Sequence, residues 1–329
     1  MRELLRFLSG LVAVVALLAV VSTGVAAELG PAPEGSFSIV VLPDTQTYAA
    51  VKPEIFHAET QWIVENRDRQ RIRFVSHVGD IVDKNVPEQW RVARAAVDRL
   101  HGKVAYGFSV GNHDMVGSTG DCSLFQEFFG ALRFEEFSWY ASHHKNNANS
   151  AQLFSGGGLD FVIVHLECNA PDGVLAWADR VLAEHSDRRA IVTTHMYLGP
   201  LDRPTTAEGW FDDPKGRMRW KKCHGSRGNT PQAMWEKCFS RHENVFLICC
   251  GDQSRTQAMR LTVNGAHGNM VHEVLSDYHD GSLRLYRFLP DEDLIEARTY
   301  RPHRDELCQG TKIVADSGEH QFRLSYRMR

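Results

Sequence analysis

Two adjoining segments govern the architecture of this chain, RFVSHVGDIVDKNVPEQW at residues 73–90 and KVAYGFSVGNHD at residues 103–114. Each contains an apolar run that ends in a small polar cluster, GDIVD (79–83) in the first and GNHD (111–114) in the second. Between them, residues 88–100 carry apolar side chains at helical spacing, so the pattern predicts a β-α-β unit. Ligands of open α/β sheets bind at the carboxyl ends of the strands, which makes the two clusters a candidate site.

Three more apolar segments, each predicted to be a strand, end in a side chain that can bind a cation. Asp44 follows the first of them, His195 the second and Asp252 the third. Carboxylate, amide and imidazole groups are oxygen and nitrogen ligands for divalent cations. We therefore expect a metal site assembled from five strand ends, with the ligands Asp44, Asp80, Asn112, His195 and Asp252.

The remaining pattern predicts helices that alternate with buried strands, followed by a run of strands near the end of the chain. The predicted helices are 54–66, 172–185 and 230–241, and the last strands, taken as antiparallel, are 257–263, 270–276, 283–289, 294–300 and 322–326. Residues 199–229 form a long segment rich in Gly, Pro and charge, which is expected to shape a substrate site. No internal repeat or linker divides the sequence, so we predict one domain of the α/β (α+β) class over residues 37–329.

Composition restricts the function classes. The chain has 329 residues, of which 43% are hydrophobic and 24% charged, as is usual for a globular protein. The formal net charge of −4 gives no indication of nucleic-acid binding, which usually requires a basic surface.

The N-terminus is typical of a secretory signal peptide. Arg2 and Arg6 precede an apolar segment at residues 8–21, and Val25-Ala26-Ala27 matches a cleavage site of small residues. This pattern predicts a signal peptide over 1–27, a leader over 28–36 and a secreted or periplasmic protein with no membrane span after cleavage. An uncleaved membrane anchor is the alternative, although the apolar segment is shorter than the roughly 20 residues that a span needs.

Export would place the cysteines in an oxidising compartment, where they can pair. There are seven, so at least one stays unpaired within the chain. Cys223 and Cys238 flank a long loop and are the first expectation for a disulfide. One of Cys249 and Cys250, at the end of an apolar strand, is expected to be a buried free thiol. No CxxC pair indicates a structural zinc site.

The order and context of the polar clusters resemble the calcineurin-like metallophosphoesterase family. That family's pattern is Asp-x-His, Gly-Asp-x-x-Asp, Gly-Asn-His-Glu/Asp, a lone His after a strand, and Gly-His-x-His. Here the corresponding segments are Asp44-Thr45-Gln46, GDIVD, GNHD, His195 in TTHMY, and GDQS at 251–254. The resemblance implies a sandwich of two mixed β-sheets flanked by helices, a metal-dependent phosphoric ester hydrolase and a phosphate-ester substrate.

The resemblance also implies roles for individual residues. Asp80 would bridge two metals, with Asp44 on the first and with Asn112 and His195 on the second. Two such metals hold a hydroxide for attack on phosphorus. His113 would protonate the leaving oxygen or stabilise the transition state, and Asp114 would orient His113. Arg255 is expected to contact a phosphate oxygen of the substrate.

Two departures from the family pattern affect the metals. Gln46 replaces the first motif's histidine, and Asp252 and Ser254 replace the last motif's two histidines. Asp252 is a sound ligand, whereas Gln46 and Ser254 are weak ones. We therefore expect one tight and one weaker divalent metal site, both suited to Mn²⁺ or another hard cation.

The departures leave a second hypothesis, a catalytically weak metal-binding or ligand-binding pseudoenzyme on the same fold. A signal-anchored structural protein is the third. Single residues also have simpler interpretations: Asp83 and Asp121 are expected to be caps or turn formers. His77, His165 and His272 lie on apolar strands and are expected to be core histidines with satisfied hydrogen bonds.

Overall fold

The computed structural model describes residues 29–200 and 215–329, and within them sixteen strands and six α-helices. The strands are β1 (Phe37–Leu42), β2 (Ile72–His77), β3 (Ala105–Phe108), β4 (Tyr140–His144), β5 (Asn149–Gly156), β6 (Leu159–His165), β7 (Arg189–Met196), β8 (Leu198–Pro200), β9 (Lys215–Arg217), β10 (Val245–Gly251), β11 (Ala258–Asn264), β12 (Met270–Ser276), β13 (Leu283–Leu289), β14 (Leu294–Arg301), β15 (Glu306–Leu307) and β16 (Gln321–Ser325). The helices are α1 (Gln46–Val51), α2 (Pro53–Glu65), α3 (Pro87–Val97), α4 (Ser123–Phe129), α5 (Asp172–Glu184) and α6 (Pro231–Lys237).

Two mixed sheets of seven strands each form the centre of the fold. The first has the order β15-β14-β13-β1-β2-β3, with β16 also paired to β14, and the second has the order β11-β12-β10-β7-β6-β5-β4. Strands β1, β2 and β3 run parallel to one another, as do β6, β7, β10 and β12. The carboxyl ends of these parallel strands carry the loops that build the site described below.

Alternation along the strands separates three apolar cores. On β1, Ile39 and Val41 face the second sheet, while Val40 and Leu42 pack against helices α1 to α4. The outer face of the second sheet is covered by α5 and α6. The layers are therefore helix, sheet, sheet and helix, which confirms the predicted fold class and the β-α-β unit at its centre.

Three local features of the structure were not predicted from the sequence. Helix α1, which begins at Gln46 directly after the first polar cluster, is absent from the predicted elements. Strand β4 extends through His144, so His143 belongs to a strand and not to the polar turn that follows it. Strand β12 pairs antiparallel with β11, as predicted, but it also pairs parallel with β10, which the sequence pattern did not predict.

The cysteine pairing was wrong. All seven cysteines lie within the described residues, and there each is buried and free of a disulfide. Cys223 belongs to the core between the first sheet and its helices, and Cys238 to the core beneath α5 and α6, so the two thiols lie in different cores. Cys249 and Cys250 are both buried free thiols.

The predicted signal peptide and the middle of the 199–229 segment lie outside the described residues. The predicted leader is irregular, although Leu29 is buried and the carbonyl of Gly30 accepts hydrogen bonds from Gln70 and Arg287. Over residues 29–200 and 215–329, no helix has the length and apolar character to cross a bilayer.

Candidate metal centre

Glycines precede three of the candidate ligands because the strand ends approach one another too closely for a side chain. A Cβ added to Gly111 would lie 2.2 Å from Asp80 Oδ1, and one added to Gly251 would lie 2.3 Å from Asp44 Oδ1. Gly79, with φ of +103°, would bring a Cβ within 2.9 Å of His195 Nδ1. The Gly-Asp and Gly-Asn pairs of the sequence therefore have a steric cause.

Two of the aspartates that follow these glycines hold a left-handed backbone. The φ angle is +50° at Asp80 and +70° at Asp252. A residue other than glycine in this region carries strain of about 1 to 3 kcal/mol, which the surrounding structure has to offset. In both cases the turn directs the carboxylate back across the strand ends toward His195.

Asp44, Asp80 and His195 form the buried centre of the site. His195 donates from Nδ1 to the carbonyl of Val78 at 3.0 Å, which leaves the Nε2 lone pair 3.3 Å from Asp80 Oδ1. His195 Nδ1 lies 3.8 Å from Asp44 Oδ1. The ligating atoms of the three side chains all lie within 4.8 Å of one another. This separation suits shared coordination of a cation.

Asp252 and Asn112 lie on the other side of His195. Asp252 Oδ1 is 3.6 Å from His195 Nε2, and its backbone N–H donates to Asp44 Oδ2 at 3.3 Å. With the Asn112 amide assigned from its hydrogen-bond partners, its nitrogen donates to Asp252 Oδ1 at 2.9 Å and its oxygen accepts from Lys222 Nζ at 3.2 Å. Asn112 can offer that oxygen to a cation beside Asp252 by turning its amide over.

His113 lies at the open edge of the same cluster, with 38% of its side chain exposed. Its backbone N–H donates to Asp80 Oδ1 at 2.8 Å, and its ring Nδ1 donates to the carbonyl of Asp83 at 2.7 Å. The Nε2 atom therefore carries the lone pair or the transferable proton and lies 4.0 Å from Asp80 Oδ2.

Asp114 does not orient His113, contrary to the expected role. Its buried carboxylate accepts backbone hydrogen bonds from Gly111 at 2.8 Å, Ile81 at 2.9 Å and Val82 at 3.1 Å. Asp114 thus joins the GDIVD loop to the GNHD loop. Asp83, which was expected to be only a turn former, supplies the carbonyl that fixes the imidazole.

Asp277 and His279, which the sequence analysis missed, lie beside Asp44. They follow strand β12, and their ligating atoms and that of Asp44 lie within 4.8 Å of one another. The signal in the sequence is a carboxylate and an imidazole just past an apolar strand, in SDYHD at 276–280. The pattern predicts the antiparallel pairing of this strand with β11 but not its parallel pairing with β10, which brings its end to the edge of the sheet that holds the other ligands.

The remaining candidates are less central. Gln46 begins α1 and is half-buried, Ser254 lies in the turn after β10, and Arg255 in the same turn is exposed. The roles of these three residues stay predictions. The core histidines are as expected: the ring nitrogens of His165 bond Ser76 and Gln152, and those of His272 bond Thr262 and the Ser325 carbonyl. His77 Nε2 pairs with Thr45, and Asp121 accepts from the backbone of Ser123 near the start of α4.

The electrostatics of the cluster favour a bound cation. Burial raises the pKa of Asp44 well above its ordinary value, and the carboxylate of Asp277 raises it further. Burial likewise raises the pKa of Asp277 to about 8. Burial alone would lower the pKa of His195, but Asp80 and Asp44 raise it well above its ordinary value. Several carboxylates thus share one buried space, and a divalent cation would neutralise them.

The donor set also fits such a cation. Asp44 Oδ1 and both carboxylate oxygens of Asp277 are buried without a hydrogen-bond partner, which is costly unless a ligand satisfies them. Carboxylate and amide oxygens with one or two imidazoles suit Mn²⁺, Mg²⁺ or Ca²⁺ better than softer ions.

Comparisons with known proteins agree with this geometry. The sequence model described as calcineurin-like phosphoesterase matches residues 37–225, more than half of the chain. The uncharacterized protein YvnB of Bacillus subtilis (strain 168) is 28% identical over 317 residues, which cover 92% of this chain and 23% of that protein. The chain therefore spans about a quarter of this curated relative's length.

Two solved structures are similar to this chain to different degrees. Purple acid phosphatase PPD1 from yellow lupin (Lupinus luteus) seeds matches with a TM-score of 0.55 and 14% identity, over 92% of this chain and 56% of that one. The 5'-nucleotidase precursor from Thermus thermophilus matches with a TM-score of 0.45 and 12% identity, over 83% and 53%. Only the likeness to the phosphatase has a TM-score above 0.5, and at 14% identity it concerns the fold alone. With the sequence model matched across the first four polar clusters, the chain belongs to the calcineurin-like phosphoesterase family.

Proposed function

We propose that this protein is an exported, metal-dependent phosphoric ester hydrolase that acts on a phosphomonoester or phosphodiester. The observation that carries the proposal is the placement of His113. Its Nδ1 is committed to the Asp83 carbonyl, and its Nε2 faces the opening beside Asp80. A proton donor held in one tautomer at the edge of a metal cluster suits protonation of a leaving oxygen.

The cleft next to His113 supports an anionic substrate. A cavity of about 570 Å³ opens there, and it is lined by two lysines as well as the polar clusters (Asp83, Lys84, Asn85, Asn112, His113, Met115, Gly117, Ser118 and Lys222). Lysine ammonium groups attract phosphate oxygens as point charges. A larger cavity of about 1090 Å³ lies elsewhere, between Asp160, Arg188 and Tyr326, and does not adjoin this chemistry.

Asn169, in the loop that follows β6, holds the backbone of Lys222 in place. Its backbone N–H donates to Asn169 Oδ1 at 2.8 Å, and Asn169 Nδ2 donates to the carbonyls of Trp220 and Asn229, both at 3.2 Å. The part of the 199–229 segment that the structure describes is thereby fixed to the second sheet. This arrangement agrees with a segment that shapes the substrate site.

The protein side chains and the cations would divide the work. Two divalent cations, held by Asp44, Asp80, Asn112, His195 and Asp252, would activate a water and neutralise charge on the phosphoryl oxygens. Asp114 fixes the two loops that carry Asp80 and Asn112, and Lys222 draws the substrate anion toward them. His113 delivers or stabilises the proton at the leaving oxygen, and the Asp83 carbonyl keeps its Nε2 directed at the cleft.

Hydrolysis of a chromogenic phosphodiester and a chromogenic phosphomonoester tests the proposal. The purified protein would be stripped of metal and then supplied with Mn²⁺, Mg²⁺, Ca²⁺ or Zn²⁺ in turn. We expect metal-dependent turnover that Asp80→Asn abolishes and that His113→Ala lowers about 10²- to 10⁴-fold.

His143→Ala is the matched control, because 39% of that side chain is exposed and it lies on strand β4, away from the cluster. Its rate should equal that of the unchanged protein. A folded protein that binds metal but hydrolyses neither ester with any cation would instead favour the pseudoenzyme. Export is tested separately by N-terminal sequencing of the secreted or periplasmic product, which should begin at Glu28.

A further inference from the structure

We infer that Asp277 and His279 complete the metal site at Asp44, in place of the two histidines that Gln46 and Ser254 replace. The inference rests on the proposed two-metal function and deepens it. With these two ligands the first site would bind its metal tightly, whereas the sequence pattern alone predicts weak binding there.

Geometry is the first support. The ligating atoms of Asp44, Asp277 and His279 lie within 4.8 Å of one another, and His279 Nε2 is 3.7 Å from Asp277 Oδ1. Asp44 also belongs to the group with Asp80 and His195, so the two candidate sites adjoin and share a carboxylate. Adjoining sites are what a paired-metal centre needs.

Unsatisfied polar atoms are the second support. Asp277 is fully buried, and both of its carboxylate oxygens lack a hydrogen-bond partner. The same holds for Asp44 Oδ1 and His279 Nε2. Four buried atoms of ligand type that lie close together without hydrogen-bond partners are costly, and a cation among them would satisfy all four.

The backbone around these residues is fixed, as a metal site requires. The Asp277 N–H donates to the Gln257 carbonyl at 2.9 Å. Tyr48 on α1 accepts from the Gly281 N–H at 2.8 Å and donates to the Tyr278 carbonyl at 2.7 Å. The helix that begins at Gln46 is therefore joined to the segment that carries Asp277 and His279.

The exchange of donors changes the chemistry of the site. Asp277 contributes a carboxylate where the family pattern has imidazole, and His279 contributes the one nitrogen. With Asp44 and Asp80 beside them, the set is rich in oxygen and should prefer Mn²⁺ or Mg²⁺ to Zn²⁺.

Metal stoichiometry, measured without any substrate, tests the inference. We expect the unchanged protein to bind two Mn²⁺ per chain in equilibrium dialysis with metal analysis. Asp277→Asn and His279→Ala should each lower the affinity for one of the two ions by about 10- to 100-fold or more. Glu59→Gln is the matched control: Glu59 is equally buried with two unpartnered carboxylate oxygens, but it lies on α2 outside both groups, and its variant should keep both ions.

A second measurement needs no variant and so does not depend on folding of Asp277→Asn. Anomalous scattering from crystals grown with Mn²⁺ should show an ion in contact with Asp44, Asp277 and His279. An ion that contacts neither Asp277 nor His279, a single bound ion at Asp80 and Asp252, or two ions retained at full affinity in folded Asp277→Asn would each overturn the inference. Two bound ions without any hydrolysis would support it and count against the proposed enzyme instead.

Discussion

The ring Nδ1 of His113 donates a hydrogen bond of 2.7 Å to the backbone carbonyl of Asp83, whose own carboxylate lies farther away at 3.8 Å. The group that orients the imidazole is therefore part of the main chain. A main-chain acceptor stays in place when the side chain is replaced. A substitution at Asp83 can therefore remove the charge and keep the hydrogen bond to His113.

Asp83→Asn should consequently lower kcat by less than about threefold, since the carbonyl still holds His113 in one tautomer. Steady-state hydrolysis of a chromogenic ester measures the effect, beside His113→Ala as the variant expected to fail. A loss of more than about tenfold in Asp83→Asn would show that the carboxylate, and not the carbonyl, controls the imidazole.

Asp114→Asn should destabilise the protein by about 1 to 3 kcal/mol, because the amide nitrogen cannot accept the hydrogen bonds that the carboxylate oxygen accepts. The carboxylate receives three backbone N–H groups from the two loops of the site. Chemical denaturation measures the change. Asp121→Asn serves as the control, because Asp121 is exposed and accepts one backbone hydrogen bond. Equal stability of the two variants would contradict the joining role of Asp114.

Lys222→Met should raise KM for an anionic ester about tenfold and change kcat less, because it removes a charge at the cleft but none of the proposed metal ligands. Lys103→Met is the control, since Lys103 is exposed and precedes β3, at the end of that strand opposite the site. Added salt should raise KM of the unchanged protein and have less effect on the Lys222 variant. A KM that does not respond to Lys222→Met would exclude the lysine from substrate binding.

Acid should destabilise the fold through His165. Burial, with a smaller contribution from the charge of His77, lowers the pKa of His165 from 6.5 to about 3. Between these values the unfolded chain binds the proton and the folded chain does not. The free energy of unfolding therefore falls as pH falls through this window, by up to about 1.4 kcal/mol per pH unit for this group.

His165→Gln should flatten that slope by about one proton between about pH 4 and 6, while it keeps a side chain that can bond Ser76 and Gln152. Denaturation midpoints measured across the pH range give the slope. His143→Gln, on the protein surface, should leave the slope unchanged. An unaltered slope in His165→Gln would show that other groups carry the acid sensitivity.

Oxidation should join Cys168 to Cys223. The thiol of Cys223 hydrogen-bonds that of Cys168, and both lie in the core beneath the first sheet, whereas Cys238 lies in a different core. Peptide mapping of the oxidised, non-reduced protein measures the connectivity, with Cys238→Ser as a control that should not alter it. A Cys223–Cys238 link would contradict the structure.

The central β-α-β unit, the buried strands and five clustered side chains could be predicted from residue patterns, because these features depend on local signals. An apolar strand followed by Gly-Asp or Gly-Asn predicts a ligand at the strand end, because the glycine permits close approach and the polar residue follows it. Asp80, Asn112 and Asp252 could be found in this way, and Asp44 and His195 from their places at the ends of apolar segments.

Only the tertiary structure shows which strand ends lie next to one another. Strand β12 has the same apolar pattern whether it runs parallel or antiparallel to β10, and its direction determines whether Asp277 and His279 reach Asp44 or lie at the far edge. The acceptor for His113 is a main-chain carbonyl, which any residue at position 83 would supply, so the side chain there gives no signal in the sequence. The separation of Cys223 from Cys238 likewise depends on which face of a sheet each element covers. Side-chain patterns report burial, whereas strand direction and backbone contacts arise from long-range packing.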